Sequence, residues 1–128
     1  MKKENKRQQQ MSELVRREFS VVLRELGSYI YGAEIMVTVT QVKVTADFGL
    51  AKIYLSIFNT ENKQAVLLLM ERETSRLKAG LAARIRKKVR RMPHVAFYID
   101  ETLDEMYRVS DLFERLEKDN QLGSEEEE

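Results

Sequence analysis

The chain has 128 residues, no cysteine, one histidine and a formal net charge of +1. That length allows one compact domain with tails, and the lack of cysteine excludes a disulfide framework, a thiolate nucleophile and a cysteine-bound metal. The near-zero charge conceals three zones: residues 1–10 carry four basic side chains against one acidic, residues 100–128 carry twelve acidic against three basic, and the middle is left near +7 by difference.

In chain order, residues 1–11 are polar and read as a flexible basic N-terminus holding Lys2, Lys3, Lys6 and Arg7. Ser12 is a candidate cap for a helix over 13–26, with Val15, Phe19, Val22, Leu23 and Leu26 as its apolar stripe and Gly27 as its stop. Ile35, Val37 and Val39 alternate with polar residues as in a strand, and the apolar phase then moves to Val42 and Val44. That change of parity predicts a bulge near Gln41. Ala46–Leu50 reads as a turn, and the alternation of Ala51, Ile53, Leu55 and Ile57 completes a long antiparallel hairpin. Thr60 or Asn62 caps the next helical pattern, which runs without a stop to Met92, just before Pro93. Some 30 residues are too many for one straight helix on a small sheet, and Ala79-Gly80 is the weakest local point, so a kink is predicted there. Val95–Ile99 reads as a covered strand, and 111–118 as a last short helix capped by Ser110. Residues 119–128, DNQLGSEEEE, form an acidic tail of disordered composition. The expected organisation is a tail over 1–11, a domain over 12–118 and a tail over 119–128.

The most informative stretch is RETSRLKAGLAARIRKKVRR, residues 72–91. No Asp or Glu occurs from Thr74 to Ile99, while Arg76, Lys78, Arg84, Arg86, Lys87, Lys88, Arg90 and Arg91 all lie within that gap. Leu81, Ile85, Val89 and Met92 recur at helical spacing, so a helical reading buries them and gathers Arg76, Lys87 and Arg90 on the far side, flanked by Arg84 and Arg91. An ordinary solvated face mixes both signs of charge; a single-sign face suits nucleic-acid phosphates. Lys2, Lys3, Lys6, Arg7 and Arg17 are candidate additional contacts.

The predicted order, helix-strand-strand-helix-helix-strand, is α+β: a three-stranded sheet packed by helices, as in a type II KH domain. The usual KH clamp, a GxxG loop between two helices, is absent; AGLAA stands at 79–83. The chain further resembles the bacterial ribosome-binding factor A family. The resemblance is carried by SELVRREFSVVLREL (12–26), by VTVTQVKVTADFGLAKIYLSIF (37–58) with Asp47 and Tyr54, and by RIRKKVRRMPHVAFYIDETLDEMYRVSDLFERL (84–116) with Pro93, Phe97 and Asp100. It implies a type II KH-like fold in which an Ala-Xaa-Gly kink replaces the clamp loop, and the family's spacing back from Pro93 would place that kink nearer Ser75–Leu77 than Gly80. It also implies a non-catalytic assembly factor that binds the free or immature small ribosomal subunit and assists late maturation of its rRNA.

Other motifs carry less. Asp47-Phe48-Gly49 spells the kinase magnesium motif without the loops that accompany it, so a hairpin turn is the better reading. His94 has no partner cluster, and Asp100, Glu101, Asp104 and Glu105 lack calcium-loop spacing, so no metal and no cofactor is expected. Tyr29, Tyr31, Tyr54, Phe58 and Tyr98 are available to stack on bases, and Phe97 is assigned to the core. No nucleophile–base pair appears. No apolar run approaches the ~20 residues of a membrane helix, and the N-terminus lacks a signal peptide's apolar core. The expectation is a monomeric cytoplasmic RNA-binding protein with neither membrane nor small-molecule partner. The alternatives are a general KH-like RNA binder not dedicated to ribosomes, and a protein-interaction module with a basic helix.

Overall fold

A computed structural model describes residues 5–102. Helix α1 spans Lys6–Tyr31, strand β1 Met36–Val44, strand β2 Leu50–Phe58, helix α2 Lys63–Arg72, helix α3 Thr74–Ile85 and strand β3 His94–Ile99, with a 3-10 turn at Arg86–Lys88. The sheet order is β1-β2-β3, antiparallel between β1 and β2 and parallel between β2 and β3. This is the expected α+β, type II KH-like arrangement. The expected helix over 111–118, the tail over 119–128, and Lys2 and Lys3 lie outside the described residues.

One face of the sheet buries Val39, Val42, Val44, Ile53, Leu55, Ile57 and Phe97 against the helices. The helices contribute Val15, Phe19 and Val22 from α1, Val66 and Met70 from α2, and Leu77, Leu81 and Ile85 from α3. The rings of Phe19 and Phe97 lie 5.7 Å apart and join α1 to the edge strand. The β1–β2 register shifts between Val39 and Gln41, so Thr40 is the extra residue, as the change of apolar parity predicts. The Thr40 hydroxyl donates to Asp100 Oδ2 at 2.6 Å and thereby fastens the bulge to the exit of β3.

Three expectations from the sequence are corrected. First, α1 is longer at both ends. Asn5 and Gln8 form a reciprocal capping box, Gln8 N donating to Asn5 Oδ1 at 2.8 Å and Asn5 N to Gln8 Oε1 at 3.0 Å. The Gln8 Nε2 amide is buried and donates to Val44 O at 2.9 Å, which ties this first turn to the sheet. Residues 6–11 are therefore helical rather than a flexible arm, and Ser12 lies buried within the helix. Gly27 does not end α1; a Cβ there would collide with the Tyr31 hydroxyl, so its bare backbone makes room for the Tyr31 ring one turn on. The stop is Gly32, at φ +95°.

Second, the kink is not at Ala79-Gly80, which sit inside α3, but at Glu73, between α2 and α3. Thr74 Oγ1 donates back to Glu71 O at 2.6 Å, and a hydroxyl competing for helix carbonyls bends the chain. Gly80 serves packing instead: a Cβ on it would stand 3.1 Å from Val22 Cγ1, so α1 and α3 approach closely at this point. Third, the α-helix stops at Ile85, seven residues short of Met92, and only the 3-10 turn follows it. A helix continued to Met92 would stack Arg84 on Lys88, Arg86 on Arg90 and Lys87 on Arg91 at i,i+4, and like charges at that spacing destabilise a helix.

Candidate nucleic-acid interface

The eight residues after Ile85 form a basic loop held by apolar anchors. Arg86–Lys88 make the 3-10 turn, and Val89 is extended at φ −128°, ψ 148°. Val89 and Met92 pack against the core, and Pro93 is fully buried. Arg86, Lys87, Lys88, Arg90 and Arg91 are all exposed. The apolar spacing thus faces inward as expected, but from a loop rather than a helix. The anchors leave the cations only one side to occupy, toward solvent.

The loop borders a groove of about 540 Å³ between the start of α1 and the β1–β2 turn. Arg7, Lys88, Arg90 and Arg91 line it, with Met11, Leu14, Phe48 and Val89 as its apolar part. The turn is Asp47-Phe48-Gly49, the hairpin expected in place of a kinase site. Asp47 Oδ1 accepts from Thr45 Oγ1 at 2.7 Å and from Gly49 N at 2.9 Å. These bonds, together with the positive charge of Arg91, hold its carboxyl below the usual carboxylate range. Among the described residues, Asp47 is the one acidic side chain lining this groove. Phe48 is left-handed at φ 59°, uncommon for a bulky side chain, and places its ring in the groove wall.

The remaining candidate residues divide. Arg7, in the first turn of the corrected α1, joins the loop cations. Lys6 and Arg17 line a neighbouring shallow groove on α1. Arg84 is occupied: its Nε donates to Glu18 Oε2 at 2.8 Å and its Nη1 lies 3.8 Å from Glu25 Oε1. The Arg84 bond holds the Glu18 carboxyl below its ordinary range. Arg76 lies near the opposite end of α3 from the loop, and at ~1.5 Å rise per residue the separation is about 15 Å. Lys78 Nζ sits 3.4 Å from His94 Nδ1. The single basic face expected from 76 to 91 is therefore two separate sets, and Arg76, Lys78 and Arg84 do not line the groove.

At the α2–α3 junction, where a KH domain carries its clamp, stand Glu71, Arg72, Glu73 and Thr74. The cleft from there to β3 is lined by Glu71, Thr74 and the Val95–Tyr98 segment. Glu71 and Glu73 bring two carboxylates to that junction beside Arg72, whereas the exposed cations Arg86, Lys87, Lys88, Arg90 and Arg91 lie past the other end of α3. Among the described residues no group of His, Asp and Glu is arranged to hold a metal ion, and no helix is long and apolar enough to cross a membrane.

The family model for ribosome-binding factor A matches residues 7–113. The chain is 31% identical over 113 residues to ribosome-binding factor A of Cytophaga hutchinsonii, covering 88% of this chain and 84% of that one. It is 32% identical over 117 residues to the Chlorobium luteolum protein of the same name, covering 91% and 96%. The crystal structure of ribosome-binding factor A from Thermus thermophilus superposes with a TM-score of 0.59 at 22% identity, over 72% of this chain and 94% of that one. A homology model of the Thermus thermophilus factor, fitted into a cryo-EM map of its complex with the 30S subunit, gives 0.55 at 26% identity over 70% and 90%. The family is described as a ribosome-binding factor and not as a class of enzyme. By the match over residues 7–113, and by relatives 31–32% identical along most of their length, this chain belongs to the ribosome-binding factor A family.

Proposed function

We propose that this chain is a non-catalytic assembly factor of the cytoplasm that binds the free or immature small ribosomal subunit and assists late maturation of its rRNA. The observation that carries the reading is the convergence of Arg7, Lys88, Arg90 and Arg91 on one groove, backed by Val89, Met92 and Pro93. Phosphate contacts from this loop supply affinity, and the folded shape of the RNA supplies selectivity. A protein without catalytic groups acts by binding one RNA conformation better than another, which shifts the population toward it. The Thermus thermophilus factor seen with the 30S subunit supports the same partner for this chain. It acts as a monomer, and membranes and small-molecule substrates have no part in the reading.

The test is cosedimentation of the full chain with small subunits. Changing Lys87, Lys88, Arg90 and Arg91 together to Glu should abolish it while circular dichroism and melting stay native, since all four are exposed. Unchanged cosedimentation of a natively folded variant contradicts the proposal.

A further inference from the structure

The sheet face turned away from the helices carries Tyr54 and Tyr98, flanked by Lys43 and Lys52. Alternation puts them there: Ile53, Leu55 and Phe97 point into the core, so their neighbours point out. Tyr54 and Tyr98 are direct partners in the β2–β3 register. Their rings stack with centroids 5.3 Å apart and planes 26° from parallel. Tyr98 is 42% exposed, and it also borders the cleft lined by Glu71 and Thr74, so the Lys43 and Lys52 side of the ring pair is the side open to an anionic chain. Lys43 Nζ stands 5.5 Å from the centre of the Tyr54 ring. Lys43 and Lys52 face one another directly across β1 and β2, and like charges in that position cost stability. The Asp100 carboxylate feels the charge of Lys43, and its oxygens accept from Thr40 Oγ1 and Thr102 N. Lys52 makes no ion pair among the described residues.

We propose that this face is a stacking platform for unpaired RNA bases, with Tyr98 as the open ring and Lys43 and Lys52 as contacts for the adjoining phosphates. Any base offers a π-face to an exposed tyrosine, and lysines beside the ring select an anionic chain over a cationic one. The platform rests on the reading that RNA is the ligand, and adds a preference for single strands that the basic loop alone does not supply. The two surfaces connect. His94 begins β3 directly after the basic loop, and its N–H donates to Gly49 O at 2.9 Å, beside the groove. From His94 to Tyr98 is four residues of strand, about 13 Å at ~3.3 Å per residue. A single strand leaving the loop would turn round the β3 edge to reach the ring pair on the other face of the sheet.

The experiment uses the full chain with an unstructured RNA of about 12 nucleotides, within the usual range of single-strand sites. The RNA contains 2-aminopurine, and an RNA duplex of the same length is the control. Wild type and Tyr98→Phe should quench the 2-aminopurine. Tyr98→Val should weaken single-strand binding roughly 5- to 150-fold, the factor for a stacked base worth about 1–3 kcal/mol, and leave duplex binding unchanged. Equal single-strand affinity in a natively folded Tyr98→Val variant overturns the platform, as does an equal loss on duplex. If Tyr98→Val does not fold, Lys43→Gln with Lys52→Gln keeps the ring pair and should weaken single-strand binding and lower its log–log salt slope by about two, leaving duplex binding unchanged; no loss overturns the proposal. Absence of quenching by a wild type that still cosediments with small subunits refutes the platform alone. Failure to cosediment refutes the proposed function itself.

Discussion

Residues 74–85 and 86–93 follow one apolar spacing and fold in two ways. Leu77, Leu81, Ile85 and Val89 recur every fourth position, so the same face is apolar throughout. In the first stretch the chain is helical and its cations point in several directions. Arg84 turns to Glu18 on α1, Lys78 reaches toward His94, and Arg76 lies at the far end. In the second the helix has stopped, and Val89, Met92 and Pro93 hold the chain against the core while five cations are turned outward. Periodicity reports which residues go inside; it does not report whether helix or anchored loop takes them there. The difference matters chemically, because crowded like charges weaken a helix and serve a loop that meets a polyanion.

The comparison can be broken at its anchors. Ile85 is fully buried in the helix, and Ile85→Ala should cost about 2–5 kcal/mol, seen as a large fall in melting temperature. Val89 is only partly buried. Val89→Ala should cost about 1 kcal/mol at a transfer value of ~0.8 kcal/mol per methylene, yet lower small-subunit affinity by loosening the loop. A Val89→Ala variant that binds as wild type shows that the anchor does not position the cations.

Gly80 sharpens the helical half. Gly80→Leu should destabilise by about 1–3 kcal/mol, because the α1–α3 contact has no room for a large side chain. Gly80→Ala should melt within about 1 kcal/mol of wild type, since a propensity gain of that size is set against a Cβ only 3.1 Å from Val22. A loss of several kcal/mol in Gly80→Ala would mean that Val22 and Leu26 cannot give way to a Cβ at the α1–α3 contact.

The smallest expected effect concerns acid. Hydrogen bonds from Thr40, and then from Thr102, lower the Asp100 pKa, opposed by partial burial. A depressed carboxylate contributes stability that is present above its unfolded value, about 3.9, and is lost as pH falls through the folded value. Wild type should therefore lose its advantage over Asp100→Asn as pH drops below about 4, and the two should differ by a constant amount at neutral pH. Thermal melts of both proteins across that window check the sign.

Much of this fold is legible in the residues. The parity change from Val39 to Val42 announces the Thr40 bulge, Asp47-Phe48-Gly49 its turn, and Asn62 the α2 cap, where Oδ1 accepts from Ala65 N at 3.1 Å. Other signals are present but outweighed by louder ones. Asn5 and Gln8 spell a capping box that Ser12 overshadows, and Thr74 marks the kink less loudly than a glycine does. Gly27 and Gly80 are glycines for space rather than for backbone angle: each accommodates a neighbour from one turn on or from another helix, which no local pattern reveals. The basic cluster is visible as composition. Its division is not, because Glu18 and Arg84 are 66 residues apart, and because Arg7 joins the loop only once α1 is known to begin at Lys6.

If the proposed function holds, the anchored loop, and not the outward side of α3, carries the phosphate contacts. The direct measurement is the salt dependence of small-subunit affinity for wild type, for Lys88→Gln/Arg90→Gln/Arg91→Gln, and for Arg76→Gln/Lys78→Gln. Each lost phosphate contact lowers the log–log slope by about one. By that reading the loop variant should lose about three units of slope, and the helix variant should stay close to wild type. Equal loss in both variants, or a wild-type affinity indifferent to salt, contradicts it.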